Sequence, residues 1–207
     1  MATTTNYGWT TPDDTSLVKD GAAAIRTLGS SIDTSLNTAL GTRKAGMVLL
    51  NTTSFSAVSS QSLPANTFTS TYDNYRIVTD FRCSTSAGDC SLRVRASGTD
   101  LTTSTYLYGR TFLGAYGGVP FGSENNITST LFNIGSITTT AGVGGNYDID
   151  VHSPMLATRT AIKSWGVGNA VGFTGGIVDN TTAYDSLTFF ITGQTITGTI
   201  RVYGYNN

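Results

Sequence analysis

The sequence predicts a mainly β protein, an antiparallel jelly-roll-like β-sandwich preceded by an N-terminal α-helix. Apolar and polar residues alternate in several segments after residue 47, a period typical of half-buried strands. Turn clusters separate these segments and no helical period lies between them, which favours an antiparallel sandwich. The one helical period falls between Asn6 and Leu40. We therefore predict two domains, a helix within residues 1–44 and a sandwich over residues 45–207.

The predicted sandwich begins at Met47 and alternates between strands and short turns. Its further strands are expected at residues 75–82, 92–96, 106–113, 127–137, 147–151, 161–167, 187–191 and 196–203. Glycine-containing pairs at 97–98, 117–118, 144–145, 175–176 and 193–194 are expected to form turns. Charged residues make up only 12% of the chain, whereas 39% of it is hydrophobic, so a disordered polyelectrolyte is excluded.

The helix has a recognisable start and end in the sequence. In the run Thr11-Pro12-Asp13-Asp14, the threonine is expected to cap the helix and the proline to occupy its first position. The two carboxylates would then lie at the positive end of the helix dipole. Gly41 is expected to end the helix. Gly21 and Gly29 lie inside it and cost about 1 kcal/mol each relative to alanine, so we expect a kink or break there unless partners stabilise the helix.

One narrow apolar stripe runs along this helix. Its members, which we call the seam, are Val18, Ile25, Leu28, Ile32 and Leu36. A stripe this narrow is typical of contact between identical helices, although a single amphipathic helix lying on its own β domain is the alternative. Isoleucine at several seam positions favours more than two helices, and a β domain with few charges can pack on copies of itself at little desolvation cost. We therefore predict a homotrimer and leave the supercoil hand open.

Two large aromatic residues, Tyr7 and Trp9, precede the predicted cap on a short tail of small residues. One interpretation is a hydrophobic staple, in which they pack against the chain's own helix. The other is an anchor that inserts into a partner protein, since aromatic side chains are common at binding hot spots. The residues alone do not separate the two.

The N-terminal stretch also carries a resemblance to a known family. The runs that carry it are Tyr7-Gly8-Trp9, Thr11-Pro12-Asp13-Asp14-Thr15, Leu17-Val18-Lys19-Asp20-Gly21-Ala22-Ala23-Ala24-Ile25-Arg26 and Leu28-Gly29-Ser30-Ser31-Ile32-Asp33. Together they resemble the N-terminal segment of tail-fibre and related virion proteins of tailed bacteriophages, over about one-sixth of the chain. The chain departs from that family in having Thr10 where proline is common, and in lacking a long shaft before the β domain.

The resemblance implies a function and a place. It implies that residues 1–44 attach the protein to a virion, with Tyr7 and Trp9 as anchors, and that the distal domain meets the host. It also raises the expectation of a trimer. We expect a short tail fibre or spike for host-surface attachment, with a host glycan as one possible partner. The alternative is a capsid-decorating head fibre or knob without a receptor-binding role. Other virion proteins, in tail adaptor, baseplate or capsid, would be further partners.

Composition excludes several other classes. The net charge is −1, so neither a basic groove for nucleic acid nor a polybasic membrane patch is expected. The sequence shows neither a signal peptide nor a run of roughly 20 apolar residues, so we expect no membrane insertion. We expect the protein to be assembled into the virion in the bacterial host cytoplasm. No nucleophile with a matching base is recognisable, and Glu124 is the only glutamate. We therefore expect neither an enzyme nor a cofactor.

Two cysteines and four arginines are expected on one hairpin. Cys83 and Cys90 flank a short loop that is predicted to join two paired strands. A cross-strand disulfide is sterically possible, but cytoplasmic synthesis favours free thiols, and the cysteines with a single distant histidine provide too few ligands for zinc. Arginines on the two strands would then face each other as a salt-bridged surface or a protomer contact, with an anionic glycan site as the alternative. These arginines are Arg76, Arg82, Arg93 and Arg95.

Two further groups of residues are candidates for binding. Asp148, Asp150 and His152 share one face of a strand, and parallel side chains on one strand rarely converge on a metal ion, so a polar outward face is favoured. The glycine-rich loop of residues 114–122 lacks the Lys-Ser/Thr ending of a phosphate-binding loop. Its Tyr116 and Phe121 are expected either to meet a sugar or protein, or to be buried between protomers.

Overall fold

The computed structural model describes residues 2–12, 17–40, 46–114, 122–138 and 144–205. The chain divides into two compact units, Met1–Ala45 and Gly46–Asn207. Among the predicted features, Asp13, Asp14, Gly41, Tyr116 and Phe121 lie outside the described residues.

The N-terminal unit combines a small hairpin with one helix. Strand β1 (Ala2–Thr3) pairs with β2 (Thr10–Thr11), and the helix α1 runs over Val18–Leu40. The prediction that Thr11 caps the helix is wrong, because its backbone pairs with Ala2 in the hairpin and the helix begins seven positions later. Pro12 is likewise outside the helix. The helix continues through Gly21 and Gly29, so neither glycine breaks it.

The second unit is an antiparallel β-sandwich, which confirms the predicted fold class. Its strands are β3 (Val48–Val58), β4 (Ser60–Ser62), β5 (Asn74–Cys83), β6 (Gly88–Ala96), β7 (Thr99–Asp100), β8 (Tyr106–Gly114), β9 (Gly122–Ser129), β10 (Phe132–Ile137), β11 (Gly145–His152), β12 (Thr160–Val167), β13 (Ala170–Val178), β14 (Ser186–Ile191) and β15 (Ile196–Tyr205). Eight strands form one sheet in the order β3-β15-β5-β11-β12-β13-β8-β9. The other sheet has the order β10-β6-β14-β4, with β7 paired to β6.

The core between the sheets is rich in aromatic residues. Fully buried rings come from both sheets and their connections: Phe68, Tyr75, Phe81, Tyr106, Phe132, Tyr147, Tyr184 and Phe189. Phe81 of the large sheet meets Phe189 of the small sheet edge to face, with ring centroids 5.4 Å apart. Contacts of this kind join the two sheets into one core.

The predicted hairpin that joins the two cysteine segments is wrong. The segments around Cys83 and Cys90 do not form a hairpin, because β5 pairs with β11 and β15 whereas β6 pairs with β10 and β14 in the other sheet. The arginines of β5 therefore do not face those of β6. Both cysteines are buried, free thiols whose pKa is raised by burial.

The predicted strand at 127–137 is two strands in different sheets, β9 and β10, and the expected turn at Gly175-Gly176 lies inside β13. Glycine belongs in that strand for a packing reason. A Cβ on Gly176 would lie 2.2 Å from the carbonyl oxygen of Leu107 and 2.6 Å from the Cβ of Tyr108 on the neighbouring strand. The close approach of strand β8 at this point thus requires a residue without a side chain at position 176.

The hydroxyl of Tyr106 forms a hydrogen bond between the two sheets, and its removal is a test of the fold. Its hydroxyl accepts a hydrogen bond from the backbone N–H of Val94 at 3.0 Å and donates one to the carbonyl of Leu101 at 3.1 Å. Replacing Tyr106 with phenylalanine leaves a buried N–H without its acceptor. We expect Tyr106→Phe to lower the free energy of unfolding by about 1–3 kcal/mol, measured by urea denaturation with far-UV circular dichroism.

Tyr203→Phe is the matched control. Tyr203 is half-buried, and its hydroxyl forms no hydrogen bond with the part of the chain that the structure describes. A loss in Tyr106→Phe no larger than in this control would contradict the role given to the hydroxyl of Tyr106.

Candidate functional site

The helix presents two different faces. Positions 21, 24, 28, 31, 32 and 35 are half-buried, and strand β2 of the hairpin packs against the helix. The remaining seam residues are uncovered: 97% of Val18, 65% of Ile25 and 52% of Leu36 is exposed. These three positions lie within about 20° of one another around the helix axis. The hairpin therefore takes one flank of the seam and leaves an apolar stripe open.

Trp9 and Tyr7 have different surroundings. The indole N–H of Trp9 donates a hydrogen bond to the Oγ of Ser35 at 2.9 Å, so this ring is held by the chain's own helix. Tyr7 stacks on Trp9 with ring centroids 5.0 Å apart, yet 69% of it is exposed. The staple interpretation therefore describes Trp9, whereas the ring of Tyr7 is largely exposed.

The strand with Asp148, Asp150 and His152 turns these side chains outward, as the alternation predicts. Asp150 accepts two hydrogen bonds from the guanidinium of Arg76, at 2.8 and 3.0 Å. The Nδ1 of His152 lies 2.9 Å from the Oδ1 of Asn74. Among the described residues, no group of three or more His, Cys, Asp or Glu side chains is arranged to hold a metal ion.

A cavity of about 190 Å³ opens at the end of the sandwich. Strands β8 and β13 of the large sheet, β10 of the small sheet and the turn between β12 and β13 form its walls. Its lining includes the charged, polar and aromatic residues Asp89, Arg110, Phe112, Tyr147, Asn169 and Thr174. The cavity therefore combines aromatic rings, a carboxylate, a guanidinium, an amide and a hydroxyl.

Arg110 is the central charge of this cavity, and only 12% of its side chain is exposed. Its Nε and Nη2 each donate to Glu124 at 2.8 Å, and Nη2 also lies 2.9 Å from Asp89. Burial opposes the charge, but the hydrogen bonds and charges of Glu124 and Asp89 raise the pKa of Arg110 above its ordinary value. The guanidinium is thus permanently charged and paired with two carboxylates, which leaves one negative charge in excess.

The sequence contains a signal for this cluster. Tyr106, Tyr108, Arg110 and Phe112 share the inward face of β8, since side chains alternate along a strand. A cation between inward aromatic residues needs an anionic partner, and Glu124, directly opposite Arg110 in the register, is the only glutamate in the chain. Asp89 lies on the other sheet and only the fold brings it there.

The outer face of the large sheet carries an apolar patch, which is defined by Leu113, Trp165, Val167 and Phe173. All four are exposed, Trp165 by 60%. Trp165 lies directly opposite Phe173 in the strand register. Val167 lies opposite Val171, which in turn lies opposite Leu113 of the next strand. Large apolar side chains clustered on one face are typical of surfaces that meet another molecule.

Comparisons with known proteins give no family for this chain. No model of a protein family matches it, and no curated protein matches it. One solved structure to which it has a likeness is described as the CBM2 module of the evolved Dit of Lactobacillus casei BL23 phage J-1. The identity is 11%, over 80% of this chain and 81% of the other, with a TM-score of 0.31. A likeness at this level carries no argument about function. Among the described residues, no helix combines the length and apolar character needed to cross a membrane.

His152 makes stability depend on pH. Its pKa is lowered, chiefly by burial and also by the charge of Lys163, while Asp150 opposes the shift. Its Nε2 is buried and has no hydrogen-bond partner among the described residues, so protonation would create an unpaired donor. The unfolded chain, with a histidine pKa of about 6.5, binds the proton more readily. Stability is therefore expected to fall as the pH drops below about 6.5.

The measurement is the urea midpoint of the wild type and of His152→Gln between about pH 7 and pH 5. The variant is expected to lose less stability over this range, because its side chain does not titrate while the carboxylates titrate in both proteins. An equal loss in the two proteins would show that His152 does not contribute.

Proposed function

We propose that this protein is a structural protein of a bacteriophage virion, a short tail fibre or spike that attaches to the host surface. The N-terminal unit joins copies of the chain to one another and to the particle, and the sandwich meets the host without catalysis. The observation that supports this most directly is the uncovered apolar stripe of α1, in the segment whose sequence resembles the attachment segment of phage fibre proteins.

The stripe needs a partner because the helix is weak by itself. Thr27, Ser31, Thr34 and Thr38 each donate a side-chain hydrogen bond to the carbonyl four residues earlier, an arrangement that slightly destabilises a helix. Most helical stability in proteins comes from packing of the apolar face. The hairpin covers only one flank, so contact of Val18, Ile25 and Leu36 with another chain would add the missing packing.

Three copies suit these surfaces. Isoleucine at two seam positions seven residues apart, with Leu28 between them, favours assemblies above two helices. The sandwich adds its own apolar patch around Trp165 and Phe173, which a second copy would cover. Few charges have to leave water on association, since only 12% of the residues are charged.

The first test of this function is the oligomeric state. We expect the mass of the purified protein at micromolar concentration, measured by light scattering, to be that of three chains. Ile25→Asp is expected to abolish the trimer because it places one carboxylate from each chain at the apolar contact. Ile25 is largely exposed in the single chain, so the substitution leaves the fold of the protomer intact.

Thr34→Asp is the control. It introduces the same side chain at an exposed helical position on the side opposite the stripe, where assembly should be unaffected. A wild-type mass of one or two chains would refute the trimer. Loss of assembly in both variants would show that the stripe has no special role.

The second test is incorporation into particles. Removing residues 1–45 leaves the sandwich with its complete core but without the hairpin and helix. Particles from cells that make only this truncated protein are expected to lack it, as detected by antibody against the sandwich. Full occupancy would place the anchor elsewhere. Gold-labelled antibody on intact wild-type particles locates the protein, and label found only on the capsid would favour a head fibre over a tail fibre.

A further inference from the structure

We propose that the cavity around Arg110 binds one neutral sugar residue of a glycan. This names the ligand class for the host-surface contact and rests on the proposed function for the source of the glycan. The proposed sugar site is thus the cavity at the end of the sandwich, which consists of residues that the structure describes. It is not the loop that contains Tyr116 and Phe121.

The size of the cavity limits the ligand. At about 190 Å³ it is smaller than the roughly 300–1,000 Å³ typical of sites for drug-sized molecules. It is open to solvent beside Asp89, whose side chain is partly exposed. A single ring at the end or side of a longer chain therefore fits, with the rest of the chain remaining in solvent.

The charges at the cavity disfavour an anionic ligand. The positive charge of Arg110 is already matched by Glu124 and Asp89, so an anion entering the cavity would meet a cluster with an excess negative charge. Sugar hydroxyls suit this lining because each both donates and accepts. They can donate to the carboxylate of Asp89 and exchange hydrogen bonds with the amide of Asn169, which is half-buried at the wall of the cavity.

Aromatic rings supply the apolar part of the site. The half-buried ring of Phe112 lines the cavity, 5.1 Å from the guanidinium of Arg110, and the fully buried Tyr147 supports the wall. A sugar ring carries C–H groups on its faces as well as hydroxyls at its edge, so a lining of rings and polar groups matches both parts. Sites of this kind hold a ligand by apolar contact and orient it with a few polar groups.

The walls are fixed before any ligand arrives. The hydroxyl of Tyr147 donates to the carbonyl of Ser136 at 2.7 Å, and the same carbonyl accepts the backbone N–H of Asn169 at 3.0 Å. Gly135 has a φ of +143°, and a Cβ there would lie 2.3 Å from the Tyr147 ring. The ring, the turn and strand β10 are therefore held together, which reduces the ordering cost of binding.

The test uses the full-length protein and three groups of probes, with binding followed by ligand-observed NMR and titration. The neutral probes are glucose, galactose, mannose and N-acetylglucosamine. Glucuronic acid is the anionic probe and glucosamine the cationic one. We expect at least one neutral sugar to bind. Selective binding of the anionic or cationic probe would overturn the proposal.

Two variants locate the site. Asn169→Ala removes an amide from the cavity while keeping the backbone hydrogen bond to Ser136, and we expect about a tenfold weaker affinity. Ala170→Leu adds volume to the same wall and is expected to exclude the sugar. Asn146→Ala is the matched control, since Asn146 is exposed on another strand. Unchanged affinity in both cavity variants would overturn the assignment of the site.

Adsorption of labelled protein to cells of the phage's host separates this proposal from the proposed function. If the wild type adsorbs but binds none of the neutral sugars, the sugar site is overturned and host attachment stands. If neutral sugars bind through the cavity but the protein does not adsorb, the site stands and the host-attachment function fails.

Discussion

Tyrosine rings fill much of the space between the two sheets, and each buried hydroxyl needs a hydrogen-bond partner at the far end of its ring. Tyr106 reaches from the large sheet to the backbone of Val94 in the small sheet. Tyr147 reaches to the carbonyl of Ser136, and Tyr75 bonds both the N–H and the carbonyl of Thr69. Because an unpaired buried hydroxyl is costly, these bonds determine how the sheets lie on each other in a way that aliphatic packing alone would not.

Arg110, unlike the tyrosines, places a charged side chain inward at the end of the same core. Taking a guanidinium out of water costs several kcal/mol in typical proteins and is offset only by excellent geometry. The paired hydrogen bonds that Arg110 donates to Glu124 and its contact with Asp89 provide that geometry. A purely apolar end would serve the stability of the sandwich as well or better. We therefore attribute the polar cluster to the proposed sugar site, to which it supplies charged and polar groups.

The sequence predicts individual strands far better than their partners. Alternation places Tyr75 and Ile77 inside and turns Asp148 outward, because that pattern depends only on local geometry. It does not reveal that the chain changes sheets between Cys83 and Cys90, since neighbours in sequence need not pair. Thr11 carries a valid cap signal, yet pairing with Ala2 prevails over it. Of the charged cluster beside the cavity, Arg110 and Glu124 are detectable in the sequence, whereas Asp89 requires the fold. The trimer and virion attachment remain predictions.

The chain has two tryptophans, and the fold assigns one to each compact unit. Trp9 is half-buried and bonded to Ser35, whereas Trp165 stands exposed on the outer face of the large sheet. Their emission therefore reports on different parts of the molecule, the former from a partly apolar surrounding and the latter, in the single chain, from water. Replacing either one with phenylalanine gives a protein with a single tryptophan, which can be excited selectively in the presence of the ten tyrosines. Spectroscopy can then follow the hairpin and helix separately from the sandwich without any added label.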